Sequence, residues 1–401
     1  MEKKSGVRRF SDAPKVFTEL QDDFLAPKDF YDMLEGEGVN FYVGVPDSLL
    51  KEFCSFVTDT VPPSNNIITS NEGSAVAVAA GNYLATGRIP LVYLQNSGLG
   101  NTANPLVSLA HPEVYAIPML LIIGWRGEPG KRDEPQHRVQ GRLSTNFVQS
   151  YDIPYSILPS YKEGASAILN IAFKHMRQTN SPYALLVKKN TFETYLPKKP
   201  LSEDGNYSMK REEALSLILD QLSSDDVVVG STGFLSREIF ELRKNKGSSH
   251  NSDFLTVGSM GHSSGIALGI ATSKPDRQVF NLEGDGSMIM HMGTMVTVGV
   301  KKPKNYKQIV LNNGVHDSVG GQPTGAFGVD FRGIAKSSGY KETYYADTPE
   351  QLKMQVKKLR ESEGPSLLEV RVNKGARSDL GRPTTSTVDS KKEFMKFLSK
   401  M

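Results

Sequence analysis

Glu283-Gly284-Asp285-Gly286-Ser287 and, about 25 residues later, Asn312-Asn313 decide the reading of this chain. Residues 278–282 read as a strand. Residues 287–300 read as a helix, with Met288, Met292, Met295, Val296 and Val298 among small residues, and 308–311 read as the next strand. The Gly-Asp-Gly turn and the amide pair therefore end two successive strands, with one crossover between them. A carboxylate and an amide oxygen brought together at strand ends are hard oxygen donors, suited to a divalent ion holding a diphosphate. Gly284 and Gly286 let the backbone approach such phosphates closely. Alone, each motif also reads as a plain turn or a helix cap; their shared strand–helix–strand frame favours the diphosphate reading.

The same rhythm extends outward. In the first half, 40–45, 66–69, 90–94, 119–123 and 183–187 read as strands, with Asp47 opening a helix after the first and Glu72 opening one after the second. The run 119–123 is nearly all apolar, as expected of a strand buried on both faces. In the second half, 211–222, 331–338 and 349–359 read as helices, and 227–229, 254–257 and 367–370 as strands. Alternating strands and helices imply parallel sheets covered on both faces, so the expected fold class is α/β with two doubly wound parallel-sheet domains. The expected divisions are a polar extension over 1–25, a domain over 26–190, a proline-bearing linker over 191–207 and a second domain over 208–401.

Composition narrows the function classes. A net charge of +3 is too small to argue for a nucleic-acid partner. No run of about 18 apolar residues occurs, so no membrane span is expected. The N-terminal stretch is polar and lacks the apolar core of a secretory signal, and the expected location is cytoplasmic. The lone Cys54 excludes an intrachain disulfide and a cysteine-rich zinc site, and reads as buried packing.

Several residues could carry chemistry. Glu72 sits at a strand end and starts a helix; the helix dipole alone would favour it there, and burial would suit it to acid–base work. Gly230-Ser231-Thr232-Gly233 follows a strand and offers backbone N–H groups to phosphate. Gly258-Ser259-Met260-Gly261 also follows a strand, but Gly258, Gly261 and Gly265 do not make the glycine fingerprint of a dinucleotide fold, which disfavours a nicotinamide oxidoreductase. The loop cations Arg126, Lys131, Arg132, Arg377 and Arg382 could pair an anionic substrate, with Ser318 beside them, or could be solvated. His137 and His316 are candidate proton relays. Asp47 reads as an N-cap or as a site acid.

Gly-Asp-Gly, its spacing and Asn-Asn together resemble the signature of the thiamine diphosphate enzymes. The resemblance implies a pyrimidine-binding domain followed by a diphosphate-binding domain, both of the thiamine diphosphate-binding fold. It implies that Asp285, Asn313 and the carbonyl of Val315 hold Mg²⁺. Gly230, Ser231, Thr232, Gly284, Gly286 and Ser287 would lie along the diphosphate. A Gly258 carbonyl would accept from the 4′-amino group, and Met260 would wedge the coenzyme into a V. Glu72 would bond the pyrimidine N1′ and draw the ring toward its imino form. The coenzyme itself is the electron sink. In this family it usually bridges two subunits, which implies a homodimer or higher homo-oligomer with the cofactor at the interface.

Longer strings narrow the resemblance further. Gly44-Val45-Pro46-Asp47-Ser48-Leu49-Leu50, Asn96-Ser97-Gly98-Leu99-Gly100-Asn101, Gly124-Trp125-Arg126-Gly127, Asp133-Glu134-Pro135-Gln136-His137 and the run 312–324 are similar to the phosphonopyruvate decarboxylase family, with the sulfopyruvate decarboxylases next. That similarity implies decarboxylation of 3-phosphonopyruvate, a small anionic 2-keto acid, to 2-phosphonoacetaldehyde and CO₂ in phosphonate biosynthesis. Asp47 or a histidine would be the proton donor. Sulfopyruvate or another 2-keto acid as substrate stays open, as does a non-catalytic cofactor-binding protein on the same fold.

Overall fold

The computed structural model describes residues 24–198, 200 and 205–399. Most of the expected N-terminal extension and part of the expected linker lie outside the described residues. Twelve strands form two sheets. The first contains β1 (Tyr42–Gly44), β2 (Asn66–Ile68), β3 (Leu91–Gln95), β4 (Leu120–Gly124), β5 (Tyr155–Ile157) and β6 (Tyr183–Val187). The second contains β7 (Val227–Gly230), β8 (Asp253–Leu255), β9 (Val279–Gly284), β10 (Tyr306–Asn312), β11 (Glu342–Ala346) and β12 (Ser366–Arg371).

The first sheet runs β2-β1-β3-β4-β6-β5 and the second β11-β12-β10-β9-β7-β8. Every pairing is parallel. Read from its other edge, the second order is β8-β7-β9-β10-β12-β11, the same order as the first relative to its own first strand. The two halves thus repeat one topology without a visible sequence repeat. In each, the chain moves outward from its first strand to one edge and then crosses back. β1 and β3 therefore flank one switch point, and β7 and β9 flank another. Crevices at the carboxyl ends of such strands are where ligands bind in open α/β sheets.

Parallel strands need cover on both faces, and the alternation of side chains supplies it. In β4, Leu120 and Ile122 join a core with Tyr42, Tyr93 and Leu185, while Leu121 and Ile123 join the opposite core with Val43, Leu94 and Leu186. In the second sheet, Phe280, Leu282, Ile309 and Leu311 face one core, and Val279, Val310 and Leu367 face the other. Among the described residues no helix is long and apolar enough to cross a membrane.

The structure departs from expectation in several places. Asp47 does not open a helix: the helix begins at Lys51, and Asp47 lies in the turn before it, its Oδ2 accepting from the Leu49 N–H at 2.9 Å. The expected helix over 287–300 is two helices, Asp285–Met290 and Thr294–Lys301. β5, β11 and a terminal helix, Thr387–Ser399, were not expected. β5 and β11 are edge strands with partly exposed side chains, so they lack a continuous apolar run.

Ile309 on β10 is fully buried. Ile309→Ala is expected to cost about 2–5 kcal/mol in urea unfolding, whereas Met395→Ala, on an exposed helix face, should stay within about 0.5 kcal/mol. Equal effects would contradict the core described here.

Candidate active site

The second switch point is built from glycine and small polar residues. β7 ends at Gly230, where a Cβ would lie 2.9 Å from Leu255 and 3.0 Å from the Ser236 hydroxyl. The Ser231 N–H donates to the Leu282 carbonyl at 2.9 Å, and the Gly284 N–H donates to Ser231 Oγ at 3.3 Å. The ends of β7 and β9 are thereby laced together. Thr232 and Gly233 follow, Gly233 with φ of 100°, and lead into the helix Phe234–Asn245. Its first N–H groups have no intrahelical acceptor and are suited to phosphate.

Asp285 opens the helix after β9 and is 2% exposed. Its carboxylate accepts from the Thr324 hydroxyl and from the backbone of Asn313, which sets the amide residue beside it. Burial pushes its pKa up to about 6, and the carboxylate of Asp317 adds to the effect. Among the described residues no side-chain cation pairs with Asp285. A buried carboxylate in that condition, next to amide and carbonyl oxygens, fits a hard divalent cation. Asn313 Oδ1 accepts from the Val315 N–H at 3.1 Å, while its Nδ2 donates to Asp317 Oδ2 at 2.8 Å. Asn312, the other member of the pair, is structural: its Nδ2 donates to Glu369 at 2.9 Å.

The loop 313–324 folds back on itself. Val315 bridges Pro323, the His316 N–H donates to the Gln322 carbonyl at 2.8 Å, and the Thr324 N–H donates to the Gly314 carbonyl at 2.9 Å. His316 packs so close to Gly286 that a Cβ there would lie 3.0 Å from its ring. Burial lowers the His316 pKa to about 4, so the imidazole is neutral at pH 7. The Gly261 N–H donates to Ser287 Oγ at 3.1 Å, which pins the loop carrying Gly258 and Met260 onto the Asp285 helix. Ser287 in turn sits by the buried carboxyl of Glu283, raised to about 7 by burial despite bonds from Gln308 and Asn281.

In the first half, Asp47 is fully buried at the β1–β3 switch point, its Oδ1 accepting from Gln95 Nε2 at 2.5 Å. Burial raises its pKa, against the pull of Gln95, the Leu49 N–H and Arg126. A Cβ on Gly124 would sit 1.9 Å from Asp47 Oδ2, so only glycine fits there. Glu72 begins the helix Glu72–Thr86 and is 5% exposed. Asn101 Nδ2 donates to its Oε2 at 2.7 Å, yet burial still raises its pKa. Gly98 lies against the same carboxyl, where a Cβ would be 2.3 Å from Glu72 Oε1. Burial thus raises the pKa of both acids, and both are pressed against glycine.

The two halves meet near these groups within one chain. Asn71, the cap of the Glu72 helix, donates through Nδ2 to the Met290 carbonyl at 3.4 Å, at the end of the Asp285 helix. A Cβ on Gly258 would lie 3.3 Å from Gln136, the neighbour of His137. Burial and the nearby Arg126 guanidinium lower the His137 pKa to about 4. His137 Nδ1, Gln136 Oε1 and both side-chain polar atoms of Gln322 are buried without a hydrogen-bond partner among the described residues. Orphaned buried polar atoms are what a polar ligand would satisfy.

The substrate candidates are divided by the structure. Arg126 is held in a fork by Asp133 at 2.9 and 2.7 Å, with Nη1 on Ser48 Oγ at 3.1 Å. Arg126, Lys131 and Arg132 line a cavity of about 410 Å³ with Trp125, Lys188 and Lys189. Ser318 Oγ is 3.6 Å from where a Gly233 Cβ would be, by the diphosphate cradle. Arg377 is paired with Glu212, Glu241 and Asp379, and Arg382 with Glu134. Sequence reasoning did not single out Thr324, Asp317, Asn101, Gln95 or Gln136 for roles. All but Gln95 lie inside the strings that carried the resemblance, which was the available signal.

Residues 26–149 match the thiamine pyrophosphate enzyme N-terminal TPP binding domain, and residues 229–370 match the thiamine pyrophosphate enzyme C-terminal TPP binding domain. The chain is 32% identical over 383 residues to a phosphonopyruvate decarboxylase of Streptomyces viridochromogenes, covering 91% of this chain and 93% of that one. It is 32% identical over 390 residues to a phosphonopyruvate decarboxylase of Streptomyces hygroscopicus, covering 91% and 92%. A sulfopyruvate decarboxylase of Methanosarcina acetivorans is 26% identical over 343 residues, covering 80% and 84%.

The contact of Gly98 with Glu72 gives a direct test. Gly98→Ala should lose about 1–3 kcal/mol of stability in denaturant titration, because the new methyl strikes the Glu72 side chain before anything else. Adding Glu72→Ala should restore most of that loss. A double variant no more stable than Gly98→Ala alone would contradict the packing.

Proposed function

The chain belongs to the thiamine pyrophosphate enzyme family, and on that footing we propose that it decarboxylates 3-phosphonopyruvate to 2-phosphonoacetaldehyde and CO₂, in phosphonate biosynthesis. The observation that carries the substrate is the 32% identity, over nine-tenths of both chains, to proteins of that name. When bound, thiamine diphosphate supplies the electron sink that a 2-keto acid lacks. Asp285, Asn313 and the Val315 carbonyl would hold Mg²⁺, an ion that asks for oxygen donors. Gly230, Ser231, Thr232, Gly284, Gly286 and Ser287 would face the diphosphate, and Gly258 and Met260 the heterocycles. The domains would be pyrimidine-binding over 26–190 and diphosphate-binding over 208–401.

Each acid then has a task suited to its burial. Glu72 holds a proton at the pyrimidine N1′. Asp47, whose pKa burial raises, holds its carboxyl against Gly124 and delivers a proton to the nascent product. His137 and His316, neutral at pH 7, act as hydrogen-bonding relays rather than as acids. Lys131 and Arg132 face the phosphonate, while Arg126, locked by Asp133, orients that loop. Ser318 stands by the diphosphate end; Arg377 and Arg382 reach substrate only by giving up their carboxylate partners. A homodimer or higher oligomer, with the coenzyme between subunits, and a cytoplasmic location complete the proposal.

Parallel assays of CO₂ release from phosphonopyruvate and sulfopyruvate test the substrate: phosphonopyruvate should be preferred, and equal or faster turnover of sulfopyruvate would overturn it. Glu72→Gln should lower kcat about 10²–10⁴-fold with coenzyme binding retained; full activity would remove Glu72 from the reaction, and would favour no role for acid–base chemistry at that position. Because burial raises the Asp47 pKa, the rate should be highest while Asp47 is protonated and fall as pH rises past its folded value. Asp47→Asn should erase that alkaline limb together with most of the activity; an unchanged limb would assign it to another group.

A further inference from the structure

The carboxylate of Asp317 joins three parts of the second half. Its Oδ2 accepts from Asn313 Nδ2 at 2.8 Å and from Arg211 Nη1 at 2.8 Å. The Gly375 N–H donates to it at 3.0 and 3.1 Å. Arg211 cannot drift, because Glu238 grips it at 2.8 and 2.9 Å and its side chain is 6% exposed. A carboxylate only accepts, so the Asn313 atom facing Asp317 must be the amide nitrogen, and the amide oxygen is turned the other way. That oxygen spends one lone pair on the Val315 N–H and keeps the other.

Gly375 lies in a strap, 373–382, that follows β12. Its φ of 101° is open to glycine and aims its N–H at Asp317. Farther on, Arg377 is clamped between Glu212, at 3.0 Å, and Glu241. The Gly381 N–H donates to Glu241 at 2.7 Å, and Arg237 donates to the Leu380 and Gly381 carbonyls. Arg382 then pairs with Glu134, the cap of the helix that carries Gln136 and His137. One hydrogen-bonded path therefore runs from Asn313, through Asp317, along the strap and into the first half.

We propose that Asp317 is a positioning residue: it orients the Asn313 amide oxygen for a divalent cation and couples occupancy of that site to the order of the strap 373–382. This rests on the reading of Asn313 as a metal ligand given above. A cation drawing on the Asn313 oxygen polarises its N–H toward Asp317, which holds Gly375 more firmly; by linkage, a loosened strap weakens the cation by the same factor. Partners behind a metal ligand are commonly worth 10–100-fold in metal affinity.

The test is calorimetric titration of Mg²⁺ into the full chain with thiamine diphosphate present, together with trypsin cleavage of the strap after Lys374 and Arg377 with and without both ligands. In the wild type the ligands should slow cleavage of the strap. In Asp317→Ala the Mg²⁺ Kd should rise about 10–100-fold and the ligands should no longer slow cleavage. Arg377→Gln, at a residue whose partners Glu212, Glu241 and Asp379 lie outside the 313–324 loop, leaves Lys374 as the strap's tryptic site; it should free the strap for cleavage there and also raise the Mg²⁺ Kd several-fold. A merely structural Asp317 would lower the melting temperature but leave the ligand effect on cleavage intact, and that result overturns the inference. So does an unchanged Mg²⁺ Kd in Arg377→Gln with a freely cut strap, which decides the matter even if Asp317→Ala fails to fold. Wild-type protein that takes up no coenzyme with Mg²⁺ would sink the functional proposal as well; wild-type binding with unaltered variants would sink this inference alone.

Discussion

A buried carboxylate, Asp285, with no side-chain cation beside it among the described residues, is the constraint on which the second half of this protein is organised. Asp285 is removed from water and leans on a threonine hydroxyl and a backbone N–H, with the carboxylate of Asp317 nearby. Such a group is costly unless something positive completes it. Its surroundings are arranged for that completion. Gly286 admits the His316 loop, Ser231 ties the neighbouring strand end to Gly284, and the Asn313 amide is pinned from behind. The parallel order of the strands brings these pieces to one crevice, since β7, β9 and β10 are neighbours whose carboxyl ends lie together.

The two halves use one topology for different chemistry. At the β7–β9 switch point, glycines would clear room for the proposed phosphate and metal. In the first half, glycines instead press against acids: Gly124 against Asp47 and Gly98 against Glu72. A missing Cβ there excludes water without adding a competing polar group, and burial then favours the protonated carboxyl. The sequence repeats nothing between the halves because a sheet order can be kept by any apolar alternation, whereas the crevice residues are set by what each must hold.

Much of this was legible in the sequence. The near-continuous apolar run of β4, the alternation of strands and helices, and the Gly-Asp-Gly and Asn-Asn pair around one crossover led to the parallel α/β fold and to the family. What escaped follows from physics that acts only in three dimensions. β5 and β11 are short edge strands whose partly exposed side chains carry little periodic signal. The break over 291–293 occurs in a stretch whose composition reads as one helix. Asp47 looked like a helix cap because the turn that carries it is held by Gln95, 48 positions away. Asp317 and Thr324 stood inside a recognised string, but their roles depend on how the 313–324 loop folds back, and Arg211, which fixes Asp317, lies 106 positions earlier. The pairing of Arg126 with Asp133 depends likewise on how their loop folds.

The most direct measurement is calorimetric titration of thiamine diphosphate into the wild type and into Asp285→Ala, each with Mg²⁺ and with the cation chelated away. If Asp285 awaits a cation that anchors the coenzyme's diphosphate, the wild type should bind only when Mg²⁺ is present and Asp285→Ala should bind in neither condition. Equal binding without the cation, or binding retained by a folded Asp285→Ala, would contradict it.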